Sequence, residues 1–78
     1  MTKVVTSAQI RAGRALLDWT VRDLAERSGV HRNTITRAES SDTGPGYAAL
    51  AIQKALEEAG VIFVEENGEG PGVRLRKK

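Results

Sequence analysis

Residues 23–40, DLAERSGVHRNTITRAES, decide the fold of this chain. Gly29 is placed to adopt a positive φ angle, and it therefore predicts a turn between two helices. Ala25 is small at a point where these two helices have to cross closely. The apolar residues that fall on the inner faces of the pair are Leu24, Val30, Ile35 and Ala38. A short turn that contains glycine, between two such helices, is the layout of a helix-turn-helix.

Capping patterns mark where the first two helices begin. Thr6 followed by Gln9, and Thr20 followed by Asp23, fit capping boxes, in which the two side chains bond backbone N–H groups at a helix start. The first box predicts a helix over about residues 7–18. Its expected apolar side consists of Ile10, Ala15, Leu16 and Leu17.

The other helices follow from the second box and from composition. The second helix is predicted to begin near Val21, and the third covers about residues 32–40. Residues 40–46 have the composition of a loop. The alanine- and leucine-rich segment 47–60 predicts a fourth helix that ends at Gly60.

The tail changes to the alternating pattern of β-strands. We predict a β-hairpin with strands over residues 61–65 and 72–76, joined by the turn-forming segment NGEGPG at 67–72. A lone hairpin is marginal in water, so it has to pack on the helices or on a partner. We therefore expect a helix-turn-helix domain over 1–60, with the hairpin and basic tail of 61–78 in the same compact unit.

Composition limits the class of protein. The chain has 78 residues, of which 40% are hydrophobic, and it contains no cysteine. One small domain is expected, without disulfides or a thiolate metal site. Its apolar runs are shorter than the roughly 20 residues of a membrane span, and we expect a cytoplasmic protein with no membrane contact.

Charge is distributed unevenly along the chain. Residues 1–40 carry seven basic and four acidic side chains, whereas residues 41–73 carry one lysine and six acids. The last five residues, RLRKK, are again basic. A basic half beside an acidic half indicates a polyanionic partner on one side of the molecule.

The outer face of the third helix carries side chains that can read DNA. Arginine pairs bidentately with guanine and asparagine with adenine, while threonine offers a hydroxyl and a methyl group. The polar residues on this face are His31, Arg32, Asn33, Thr36 and Arg37. We therefore interpret this helix as the recognition helix of a protein that binds double-stranded DNA.

At these residues the chain resembles the Cro and phage-repressor type of helix-turn-helix, also called the XRE family. The resemblance covers about residues 7–59 and is most specific over residues 23–40. It implies a mainly α, repressor-like domain of four to five helices, which acts as a transcriptional repressor or controller. Members of the family are usually dimers on inverted-repeat operators, and they often come from phages or mobile elements.

The resemblance also assigns roles by position. Arg32 and Asn33 are the leading base readers, followed by Thr36 and Arg37 one turn later. His31 and Thr34 are expected at a phosphate or a flanking base. The resemblance further implies an ion pair between a helix 1 arginine and a glutamate of the third helix, here Arg14 and Glu39.

The chain departs from the family at two places. Val21 stands where relatives commonly have a glutamine that bonds a phosphate, and the loop SSDTGPG at 40–46 has only Asp42 as a charge, where relatives often carry basic residues. Candidates to replace these backbone contacts are Arg22, Lys3, Arg11 and the basic tail. Tyr47, near the start of the fourth helix, is a further candidate for a phosphate hydrogen bond through its hydroxyl.

Other functions have weaker support in the sequence. His31 is the only histidine, so a zinc site or a catalytic triad is not expected, and no cofactor or small-molecule site is evident. The acidic pairs at 57–58 and 65–66 are better explained as solvated surface than as catalytic carboxylates. We expect no enzymatic activity and a homodimer formed through the hairpin. The alternative is a protein-interaction module, such as an antitoxin or an antirepressor partner.

Overall fold

The computed structural model describes residues 5–41 and 46–77 of the chain. In chain order these residues form α1 (Ser7–Leu16), α2 (Val21–Ser28), α3 (Arg32–Ser40), α4 (Gly46–Glu58), β1 (Val61–Val64) and β2 (Gly72–Leu75). The predicted mainly α fold with a C-terminal hairpin is confirmed, with four helices in the described part of the chain. No helix in these two ranges has the length and hydrophobicity to cross a membrane.

Both predicted capping boxes are present. At α1, the Thr6 hydroxyl accepts the Gln9 N–H at 3.1 Å and the Gln9 amide accepts the Thr6 N–H at 2.8 Å. At α2, Thr20 and Asp23 make the same two bonds at 3.0 and 2.9 Å. Each box satisfies two backbone donors that a helix start leaves unpaired, and it fixes where the helix begins.

The first helix ends two residues earlier than predicted, at Leu16 rather than at Asp18. Asp18 adopts a φ angle of 60°, in the left-handed region, and this breaks the helical repeat. The chain then turns back, and the N–H of Trp19 donates to the carbonyl of Arg14 at 3.0 Å. Aspartate tolerates this conformation better than most residues, but it does not mark a helix end as plainly as glycine does.

The later boundaries move by one or two residues. The fourth helix ends at Glu58, and Gly60 lies beyond it with a φ of 110°, in the turn that leads into β1. Each strand is one residue shorter than predicted, and Val61 pairs with Leu75 at one end of the antiparallel ladder. The last described tail residues therefore lie beyond the sheet.

The core is built around α2 and α3. All four residues predicted on their inner faces are buried: Leu24, Val30, Ile35 and Ala38. The other buried apolar residues come from the N-terminal segment, α1, α4 and β1, and they are Val5, Ile10, Ala48, Ile52, Ala55, Leu56 and Val61. Since α2 and α3 share this core, their relative orientation is fixed by packing.

The apolar side of α1 differs from the prediction. Leu16 is 42% exposed and Ala15 is also exposed, whereas Gln9 and Gly13 take the inner positions beside Ile10. At Gly13 a side chain has little room, because a Cβ there would lie 3.3 Å from both Leu56 Cδ1 and Val61 Cγ1. A small residue at this point lets α1 approach α4 and β1 closely.

Gln9 attaches the hairpin to α1. Its side chain is buried, and Nε2 donates to the carbonyls of Gly72 at 2.9 Å and Val64 at 3.3 Å. The same amide accepts the Thr6 N–H, so all of its polar atoms are used in one place. A helix cap and a hairpin anchor are thus provided by one residue.

A partly buried ion pair joins α1 to α3. Arg14 Nε lies 2.7 Å from Glu39 Oε2 and Arg14 Nη2 lies 3.0 Å from Glu39 Oε1, with the glutamate side chain only 8% exposed. Arg14 Nη1 also donates to the carbonyl of Trp19 at 2.9 Å, and Arg11 donates to the carbonyl of Glu39. The bidentate bond to the carboxylate raises the pKa of Arg14 above its ordinary value.

The Glu39→Gln variant should lower the free energy of unfolding by about 3 kcal/mol, because the Arg14 guanidinium then loses its anionic partner in a partly buried site. The matched control is Glu26→Gln, which breaks the exposed pair with Arg22, 3.7 Å long, and should cost less than about 1 kcal/mol. Urea unfolding of both variants measures the difference. Equal losses would show that the pair joining α1 to α3 contributes no more to the free energy of unfolding than an exposed pair does.

The two capping boxes should differ in their response to acid. The bond from the Thr20 N–H lowers the pKa of Asp23. The carboxylate therefore stabilises the fold at pH values above the ordinary pKa of aspartate. This stabilisation is lost as the pH falls from about 4 through the lower folded pKa. The stability advantage of wild type over Asp23→Asn should therefore shrink over that range in urea titrations. An advantage that stays constant with pH would contradict the assignment. The control is Gln9→Ala, whose cost in stability should not change over this pH range, because the first capping box contains no carboxylate.

Candidate nucleic-acid interface

The turn between α2 and α3 sets the start of α3. Gly29 ends α2 with a φ of 76°, and its N–H donates to the carbonyl of Ala25 at 2.9 Å. Val30 then enters the core, and His31 caps α3, with Nδ1 accepting the N–H of Asn33 at 3.0 Å. Because Nδ1 is an acceptor in this bond, the neutral ring carries its hydrogen on Nε2, which remains a donor.

The helix α3 has two distinct faces. Its inner face is formed by Ile35, Ala38 and Glu39, all buried. The residues predicted to read bases are all exposed: Arg32, Asn33, Thr36 and Arg37. Pairs separated by three or four residues lie on the same side of a helix, so these four form one continuous polar surface.

Three of these side chains are not engaged elsewhere in the described ranges. Arg32 and Arg37 make no ion pair there, and the Asn33 amide makes no side-chain hydrogen bond. Two guanidinium groups and one amide are therefore available to an outside partner. Thr36 is different, because its hydroxyl donates to the carbonyl of Arg32 at 3.0 Å.

The residues predicted to contact the DNA backbone are more dispersed. Arg22 lines a shallow depression together with His31 and Arg32, and the structure therefore brings it beside the start of α3. Tyr47 is 73% exposed at the beginning of α4 and does not line this depression. Thr34 is half-buried, whereas the predicted base readers on α3 are exposed.

The start of α2 carries an apolar side chain and a carboxylate. Val21 is partly buried and packs against the core, so it presents no polar group to a phosphate. The carboxylate of Asp23 occupies the Thr20 N–H at the same helix start. Arg22 is the basic side chain at this helix start, and it lies exposed in a loose pair with Glu26.

Two residues have supporting roles that the sequence did not predict. Arg11 bonds the carbonyl of Glu39 from the same face of α1 as Arg14, and their spacing of three residues was the available signal. Arg27 lies over the ring of Trp19, with its guanidinium carbon 4.9 Å from the ring centre. A contact of this kind covers the ring, and Trp19 is partly buried against the core between α1 and α2.

Comparison with known proteins gives the family. A sequence model described as helix-turn-helix matches residues 10–52, more than half of the chain, from the first turn of α1 into α4. No curated protein gives a significant match. The matched range contains the α2–turn–α3 unit and the Arg14–Glu39 pair. This chain belongs to the Cro/C1-type, or XRE, family of DNA-binding helix-turn-helix regulators.

Proposed function

We propose that this protein is a transcriptional regulator that binds a specific double-stranded DNA sequence as a homodimer on an inverted repeat, in the cytoplasm. The observation that carries this proposal is the division of α3 into a buried inner face and an exposed face of base-reading side chains. The two sets alternate along α3, a helix of nine residues, and the major groove of DNA is wide enough to admit an α-helix.

Each exposed side chain has a specific partner in this proposal. The guanidinium groups of Arg32 and Arg37 match the O6 and N7 acceptors of guanine, and the amide of Asn33 matches the N6 and N7 atoms of adenine. The Nε2 hydrogen of His31 suits a phosphate oxygen at the edge of the groove, with Arg22 nearby on α2. Thr34 and Tyr47 are proposed as further backbone contacts.

A recess of about 460 Å³ beside the hairpin is our candidate for the dimer interface. Leu75 is 45% exposed and Leu16 42% exposed, and both line this recess with Leu17, Ala59 and Gly60. The acid Glu58 and the basic residues Arg76 and Lys77 also line the recess. In a two-fold dimer each copy presents the same patch, so the acid of one copy can meet the bases of its partner.

The hairpin belongs to the same folding unit in this proposal, and deleting it would be a poor test of dimerisation. Residue Val61 is part of the core, and Gln9 would lose both hairpin carbonyls. Point substitutions at exposed positions avoid this damage.

The first test removes the base readers. Arg32→Ala and Asn33→Ala should each weaken binding to the preferred site by about 1–3 kcal/mol and flatten the preference at one or two base positions. Asn33→Ala should change non-specific binding little, since it removes no charge. Binding-site selection from a random duplex library, followed by fluorescence anisotropy, measures both quantities.

The control for charge is Lys54→Ala, which removes one exposed positive charge from α4, outside the proposed reading surface. It should leave the selected sequence unchanged. If Arg32→Ala and Asn33→Ala also select the wild-type sequence, the assignment of α3 as the reading helix is wrong, and the alternative of a protein-interaction module gains support.

The second test concerns the dimer. Leu75→Lys should give monomers by sedimentation equilibrium, because it places a charge in the apolar recess next to existing basic residues. The matched control is Leu50→Lys, since Leu50 is 55% exposed but does not line the recess. A monomeric wild-type protein at micromolar concentration would contradict the proposed dimer. Loss of the dimer in Leu50→Lys instead would place the interface on α4.

A further inference from the structure

The hydroxyl group of Thr36 is directed to the backbone of its own helix. Thr36 Oγ1 donates to the carbonyl of Arg32 at 3.0 Å, and Ser40 Oγ donates to the carbonyl of Thr36 at 2.9 Å. Threonine has one hydroxyl hydrogen, and this bond uses it. The side chain is nevertheless exposed on the reading face, where it still offers its methyl group and a lone pair of its oxygen.

We propose that Thr36 recognises the 5-methyl group of a thymine through its own methyl group, and not by a hydrogen bond. This inference rests on the proposed function. In the major groove, thymine is the base that presents a methyl group, and threonine methyls are among the groups that contact it. A hydroxyl that is turned to the backbone leaves the methyl as the group with which Thr36 can distinguish one base from another by apolar contact.

The position of Thr36 limits where this thymine lies. Arg32 and Asn33 precede it by four and three residues on the same helical surface, at most about 6 Å along the helix axis. With base pairs spaced about 3.4 Å apart, the thymine lies within roughly two base pairs of the bases read by Arg32 and Asn33. The expected contact is therefore in the same half-site, beside their contacts.

The expected size of the effect is that of one buried methyl group. Removing such a group from a packed contact costs roughly 0.8 kcal/mol, which corresponds to about a fourfold change in Kd. A direct hydrogen bond from the hydroxyl to a base edge would not depend on the thymine methyl at all. The two modes of recognition can therefore be separated by changing the methyl groups on each side of the contact.

The experiment begins with binding-site selection from a random duplex library by the full chain. Each thymine of the selected half-site is then replaced, one at a time, by deoxyuridine, which lacks only the 5-methyl group. Wild type, Thr36→Val and Thr36→Ser are titrated on every duplex by fluorescence anisotropy. Valine keeps a methyl group and removes the hydroxyl, whereas serine keeps the hydroxyl and removes the methyl. Ser40→Ala is the control for loss of a similar back-bonded hydroxyl one turn later.

At one thymine, deoxyuridine should weaken wild type and Thr36→Val by about fourfold and should leave Thr36→Ser unchanged. Thr36→Ser on the thymine duplex should match wild type on the deoxyuridine duplex. The proposal is overturned if Thr36→Val loses the base preference that Thr36→Ser retains, or if no thymine methyl is coupled to residue 36. A selection that returns no preferred sequence would instead refute the proposed function, together with any base reading by Thr36. Circular dichroism of each variant verifies that α3 is intact.

Discussion

The contact between Arg14 and Glu39 determines how the recognition helix is held. Glu39 lies near the C-terminal end of α3, where a negative charge is opposed by the helix dipole, and its side chain is almost completely buried. Such a carboxylate is stable only with a close cationic partner, and Arg14 supplies two hydrogen bonds from α1. Arg11 bonds the backbone carbonyl of the same glutamate. Two arginines of one helix therefore fix one end of α3, while the shared core fixes its inner face.

The helix-turn-helix could be predicted because its determinants are local. Gly29, the small Ala25 and the apolar residues of the two inner faces all lie within one short stretch, and each has a direct backbone or packing role. The end of α1 could not be predicted in the same way. Asp18 adopts a left-handed conformation without the glycine that usually signals one, and two residues were assigned to the helix in error. Capping by side chains is visible in sequence, whereas a strained residue is visible only in the backbone.

The inner face of α1 was the larger error, and its cause is long-range. Apolar character favoured Ala15 and Leu16, but the hairpin packs on the side of α1 that carries Gln9 and Gly13. Gln9 is buried because its amide bonds two carbonyl groups of the hairpin, more than fifty residues away in sequence.

For the candidate site, the sequence indicated which side chains of α3 lie outside the core. The hydrogen bonds of His31 and Thr36, which decide what those side chains still offer, required the geometry of the helix.

The two helix starts near the proposed DNA surface have different electrostatic character. At α2, a carboxylate accepts one of the free N–H groups, and the pKa of Asp23 is lowered by that bond, so the negative charge persists there. At α3, the cap is a ring nitrogen of His31 and the next residue is Arg32. A phosphate is therefore disfavoured by the charge at the first start and favoured by the charge at the second. The charge at the start of α3, together with Arg22 of α2 beside it, therefore makes this end of α3 the part of the proposed DNA surface that favours a phosphate.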